Sequence, residues 1–152
     1  MLEEKLESMG HTLPAAAKPA FQYVPVAVHG GIAYVSGQLP KVDGEVRVFG
    51  KVGDAVSVEQ AEEAARICTL QGLACLVEAI GGSNRIERIL KVTGFVASAP
   101  GFNQQPKVLD AASYLLVEAL GDAGRHARAA VGVAELPRDA PVEVELIAAV
   151  RA

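Results

Sequence analysis

Residues 124–150 read GRHARAAVGVAELPRDAPVEVELIAAV. The stretch holds two apolar runs of β type, Ala127 to Leu136 and Pro141 to Val150, joined by a short Pro-Arg-Asp-Ala link. Two such runs closing a chain are expected to lie side by side as strands. Strand alternation puts Glu143 and Glu145 on one face of the second run, with Val142, Val144 and Leu146 on the other. Arg128 sits in the first run among Ala127, Ala129, Ala130 and Gly132, small residues that leave room beside a guanidinium.

Each of these charges has two readings. A guanidinium is a planar fork matched to a carboxylate and stays charged when partly desolvated, so Arg128 can receive an anionic ligand. It can equally serve as a structural ion pair with Glu143 or Glu145, or as a bridge between subunits. A glutamate among apolar residues has its neutral form favoured, which suits proton transfer near neutral pH, whereas a nearby arginine opposes that shift. The plainer reading of Glu143 and Glu145 is a solvated strand face.

Working outward, Pro106 can open a helix over Lys107 to Leu120 that Gly121 and Gly124 break. Ser98 to Gln105 reads as a loop, and Ile86 to Ala97 as another β-type run. Ser57-Val58-Glu59-Gln60 has the capping-box pattern and opens a helix from Val58 to Ile80, ended by Gly81-Gly82. Asp43-Gly44 favours a tight turn, with a short strand at Val46 to Phe49 after it. Tyr23 to Val28, the turn His29-Gly30-Gly31 and Ile32 to Gln38 form a hairpin. Leu2, Leu6 and Met9 follow helical spacing over 2–9, and Thr12 to Pro19 is a Pro/Ala-rich linker. This gives an N-terminal helical arm and linker over 1–20 and a single domain over 21–152.

The resulting order, β-β-(β)-α-β-α-β-β, predicts an α+β fold: a mixed sheet with two long helices packed on one face. No segment is left to cover the other face, and self-association is the natural cover. A hydrophobic content of 51% agrees with apolar surface buried between subunits.

The composition narrows the function. The formal net charge is −4, with no basic block, which argues against a large nucleic-acid footprint. No apolar run reaches membrane-spanning length, and the acidic first residues lack the basic region of a signal peptide. Cys68 and Cys75, seven apart on a helix, lie about 10 Å from each other and cannot bridge, as expected of core thiols in the cytoplasm. His11, His29 and His126 lack metal-ligand spacing and read as surface residues. Neither a phosphate loop nor a nucleophile elbow is present. Tyr23 could close a pocket and Ser36 could hydrogen-bond a ligand, although a satisfied core or turn residue is the favoured reading of each from the residues alone.

From Tyr23 onward the chain resembles the Rid family, the reactive intermediate deaminases also called YjgF or L-PSP endoribonucleases. The resemblance is carried by YVSGQLP at 34–40 and by ARAAVGVAELP at 127–137 followed by VEVELIA at 142–148. The N-terminal arm, KVG at 51–53 and the loop SAPGFNQQPKV at 98–108 are features of a divergent branch. The resemblance implies a chorismate-mutase-like fold assembled as a homotrimer with pockets between subunits. It implies hydrolysis of 2-imino acids and their enamine tautomers to 2-oxo acids and ammonia, with no cofactor or metal. Arg128 falls on the family's carboxylate-binding arginine and Glu143 on the glutamate that activates water or moves the proton. Tyr23 falls on the pocket tyrosine, Ser36 on the serine of SGQ, and Asp110 near the asparagine of the second helix. Ala130 stands where active members often have cysteine. A trimeric protein that binds a small carboxylate without turnover, and an endoribonuclease, are the alternative functions.

Overall fold

The computed structural model describes residues 1–18 and 21–152. Pro19, the last residue of the expected linker, and the boundary at residue 20 lie outside the described residues. Five strands form one sheet: β1 (Val26–His29), β2 (Ile32–Gln38), β5 (Ile86–Ala97), β6 (Ala127–Val133) and β7 (Val142–Val150), in the order β1-β2-β7-β5-β6. The small strands β3 (Lys41–Val42) and β4 (Glu45–Val46) pair as a separate ribbon. Three helices accompany them: α1 (Leu2–Ser8), α2 (Val58–Ile80) and α3 (Gln105–Leu120).

Local chemistry explains the boundaries. Ser57 accepts from the Gln60 backbone N–H at 3.1 Å while the Gln60 side chain accepts from the Ser57 N–H at 3.0 Å. These two bonds start α2 at the expected residue. Gly81 ends it in the left-handed conformation at φ 84°. Gly30 and Gly31, at φ 59° and 77°, make the two-residue turn that the β1–β2 hairpin requires. Asp43 (φ 52°) and Gly44 (φ 80°) turn β3 into β4, and the strand forms at Glu45–Val46 rather than at Val46 to Phe49.

The two closing runs are not neighbours. α3 returns the chain so that β6 pairs with β5 in parallel, and β6 becomes a sheet edge. The chain then crosses β5, and β7 enters antiparallel between β5 and β2. β7 has the composition for that central place, since Val142, Val144, Leu146, Ala148 and Val150 are all buried on the helix side. The small residues of β6 give little to bury, which suits an edge.

Both long helices cover one face. Gly72 lets α2 approach β7 closely, because a Cβ there would meet Leu146 Cδ1 at 3.0 Å. Gly94 of β5 likewise makes room for Leu109 of α3. The N-terminal helix belongs to the same core: Leu2 and Leu6 are buried, and Ser83 Oγ donates to Glu3 Oε2 at 2.7 Å. On the opposite face Tyr34 and Val131 are exposed, with Phe95 and Ile147 half-buried beside them.

Candidate functional site

A register shift in the β2–β7 ladder falls between Val35 and Gln38, so Ser36 and Gly37 leave the regular pairing. Glu143 fills the space this creates. Gly37 leaves room for it: a Cβ would stand 2.8 Å from Glu143 Oε1, so the carboxylate would have to move. The carboxylate borders a cavity of about 230 Å³ whose walls include Tyr23, Gly37, Leu39, Lys41 and Arg138. Burial, and then the charge of Glu145 on the same strand face, push the Glu143 carboxyl above its ordinary pKa. A carboxyl tuned in this way can exchange protons closer to neutral pH.

Tyr23 lines the same cavity as Glu143. Its ring stacks on Phe21 at 6.4 Å and remains largely exposed. Ser36 has a different position. Its hydroxyl donates to the Val24 carbonyl at 2.8 Å, and its backbone N–H donates to Pro25 at the same distance. Ser36 thus ties the extended segment that carries Tyr23 to β2 and does not line the cavity.

Arg128 does not face Glu143. It pairs across from Val92, whose side chain is buried under the helices. Its Nη1 donates to Asp110 Oδ1 at 2.9 Å and to Ser113 Oγ at 3.1 Å, both on α3. Glu143 belongs to the alternate set of β7 residues, on the sheet's other face. The expectation that the cation and the carboxylates meet on adjacent strands is corrected: β5 lies between them, and the protein acid that meets Arg128 is Asp110.

The Arg128 guanidinium is held by one nitrogen only. Among the described residues, Nε and Nη2 have no protein partner, and no buried polar atom lacks one. The Nε–Nη2 edge is therefore unpartnered on a side chain 23% exposed at the sheet's edge strand, and a guanidinium edge of this kind can take a carboxylate. Asp110, mostly exposed, offsets part of its charge.

Behind Arg128 stands a short relay. His126 Nδ1 lies 2.6 Å from the Gly124 carbonyl, to which it donates, and Nε2 lies 2.9 Å from Ser113 Oγ. Sequence reading did not bring Ser113 to Arg128, or His126 to Ser113, because both contacts are set by the approach of α3 to the β6 end of the chain. Gly37, Lys41 and Arg138 were also missed. The glycine of SGQ was a signal that could have been used, since a glycine inside a strand marks a bulge or a close approach. Among the described residues no group of three or more His, Cys, Asp or Glu is placed to hold a metal ion. No helix among them is long and apolar enough to cross a membrane.

Residues 3–150 match the sequence profile of the family described as "YjgF/chorismate_mutase-like, putative endoribonuclease". The chain belongs to this family. Protein TCP17 of Trypanosoma cruzi is 43% identical over 143 residues, covering 93% of this chain and 89% of that one. Protein Atu1372 of Agrobacterium tumefaciens, a crystal structure, superposes with a TM-score of 0.93 at 44% identity, covering 99% of this chain and 92% of that one. A "putative endoribonuclease" of Shewanella oneidensis MR-1 gives 0.94 at 32% identity, covering 98% and 99%. TdcF of Escherichia coli, solved with bound serine, gives 0.64 at 27% identity, covering 90% and 94%. Within the YjgF-like family, then, this chain superposes more closely on the first two structures than on TdcF.

Proposed function

We propose that the protein is a deaminase that hydrolyses small 2-imino acids, and their enamine tautomers, to 2-oxo acids and ammonia. The observation that carries this reading is Glu143: a half-buried carboxyl with a raised pKa, bordering a cavity beside Tyr23. Water adds through its oxygen to the imine carbon while Glu143 takes a proton from it, and the C=N electron pair moves to nitrogen. Glu143 returns that proton to the nitrogen, giving a hydroxy-amine; it then takes the remaining hydroxyl proton and passes it to nitrogen as the C–N bond breaks, so that the O–H electron pair forms the carbonyl and ammonia leaves. No redox partner is needed.

The substrate carboxylate is assigned to the unpartnered Nε–Nη2 edge of Arg128. Because Arg128 and Glu143 lie on opposite faces of one sheet, the site needs a neighbouring copy to bring them together, and a homotrimer is the assembly we propose. The edge position of β6 and the apolar open face with Tyr34 and Val131 support such contacts. The serine bound by TdcF bears the carboxylate and the amine nitrogen such a site would handle.

The test is a coupled assay on imines generated in situ by an amino-acid oxidase. Arg128→Ala and Glu143→Gln should each lower kcat/KM by about a hundredfold or more, the scale of a lost charged partner or general base. Full turnover in either variant ends the role given to that residue. A second reading, a carboxylate-binding protein without turnover, is favoured by the Asp110–Arg128 pair, which weakens the field on an anion. A 2-oxo acid that raises Tm while no imine is hydrolysed would select it. The net charge of −4 weighs against the endoribonuclease reading.

A further inference from the structure

We infer that the Glu143 cavity selects acidic substrates: Lys18, Lys41 and Arg138 form a cationic wall that receives a second carboxylate, on the side chain of the 2-imino acid. The chemistry at the imine carbon rests on the deaminase reading above, but the charge preference rests on the cavity alone.

The three cations reach one cavity from three separate parts of the chain. Lys18 comes from the segment before β1, Lys41 from β3, and Arg138 from the turn between β6 and β7. None of them takes part in an ion pair among the described residues, whereas Arg47, Lys51, Arg66, Arg125 and Arg128 all do. Among the described residues, the only carboxylate on the cavity wall is Glu143. Asp43 borders an adjoining cavity that Lys18 and Lys41 also line, but it is already engaged by Arg47 at 3.2 Å.

The wall does not serve to neutralise Glu143. That carboxyl is pushed up by burial and by Glu145. None of the three cations forms an ion pair with Glu143 among the described residues, so the cavity presents Glu143 and, unpaired with it, the three cations. A substrate that places its imine carbon at the first can place a carboxylate at the second. The volume, about 230 Å³, suits an amino-acid-sized molecule. In a protein of net charge −4 the long-range field repels anions, so attraction has to be local, strengthened by low-dielectric walls such as Leu39 and Pro137.

The turn that carries Arg138 is also unusual. Arg138 and Asp139 hold φ of 58° and 55°, a conformation glycine or asparagine adopts with less strain. The Gly50 N–H donates to the Asp139 carbonyl at 2.9 Å and pins the turn. An arginine kept at such a position, beside a cavity and without an acidic partner, is accounted for by an anion in that cavity.

The experiment compares 2-oxoglutarate with 2-oxopentanoate, which has the same chain and one carboxylate fewer, by calorimetry on the intact protein. Wild type should bind the diacid at least tenfold tighter, and Lys41→Gln/Arg138→Gln should remove most of that preference, as expected for lost charge-assisted bonds. In the oxidase-coupled assay the kcat/KM ratio for imines of glutamate over those of norvaline should fall by a similar factor in the same variant. Equal affinities in wild type, or a preference that survives the double substitution, overturn the inference. So does tighter binding of inorganic phosphate than of 2-oxoglutarate. Glu143-dependent turnover without acid preference leaves the deaminase standing and removes the wall. Diacid preference without turnover does the reverse.

Discussion

Arg128 and Glu143 occupy opposite faces of one sheet, and the full width of β5 separates their strands. No side-chain rotation within one chain brings the guanidinium to the Glu143 cavity. If both act on one substrate, they come from different copies. Arg128→Ala and Glu143→Gln should then each be inactive alone yet complement when unfolded together and refolded. Random assembly leaves about a quarter of the pockets with both native residues, so about a quarter of wild-type activity should return. A mixture that stays as inactive as its components would place both functions within one subunit or remove one of them.

Asp110 holds Arg128 Nη1 at 2.9 Å and puts a negative charge next to the proposed carboxylate position. Asp110→Asn keeps a hydrogen-bond acceptor there and removes the charge. Affinity for a 2-oxo acid should rise by about two- to fivefold, a modest gain because an exposed carboxylate is well screened. The gain should shrink as salt is raised. Weaker binding in the variant, measured by calorimetry, would show that Asp110 serves to orient the guanidinium and that its charge is secondary.

The helices and most strands were legible because their signals are local. The Ser57/Gln60 capping box, Pro106, Gly81 and the Gly30-Gly31 turn each act within a few residues. The pairing of β6 with β5, and the insertion of β7 beyond it, depend on which strand has the most apolar area to bury; alternation within each run does not contain that choice. The same limit applied at the site. Tyr23 and Glu143 were each picked out through the family resemblance, but that they line one cavity of a single chain was not readable from it. Arg138 looked like part of a link because a turn residue shows its neighbours only once the turn is folded. His126 looked like a surface residue because its partner, Ser113, is on α3.

Leu6 tests whether the N-terminal helix is part of the domain. Its side chain is fully buried at 0% exposure, and Leu2 beside it is buried as well. Truncating such a leucine removes transfer energy and leaves a cavity, so Leu6→Ala should cost about 2–5 kcal/mol. The loss is read from the urea midpoint at unchanged m-value. A change below about 0.5 kcal/mol, the size of an ordinary surface substitution, would mean the helix is detached in solution.

Glu143 and Glu145 make a prediction whose sign follows from linkage. Burial and the Glu145 charge raise the Glu143 pKa in the folded state above its unfolded value. Its contribution to stability is therefore fully present below the unfolded value, about 4.3, and is lost as pH rises through the folded value. Glu143→Gln does not titrate, so its Tm relative to wild type should increase with pH across that window and level off above it. The gain should be on the order of 1–3 °C. Glu145→Gln removes one of the two causes, so Glu143 should ionise at lower pH. The acid limb of the kcat/KM profile, where the base must lose its proton, should then move to lower pH as well. An acid limb that stays in place in Glu145→Gln would mean that burial alone sets the Glu143 proton, and one that moves upward would remove Glu143 as the group being titrated.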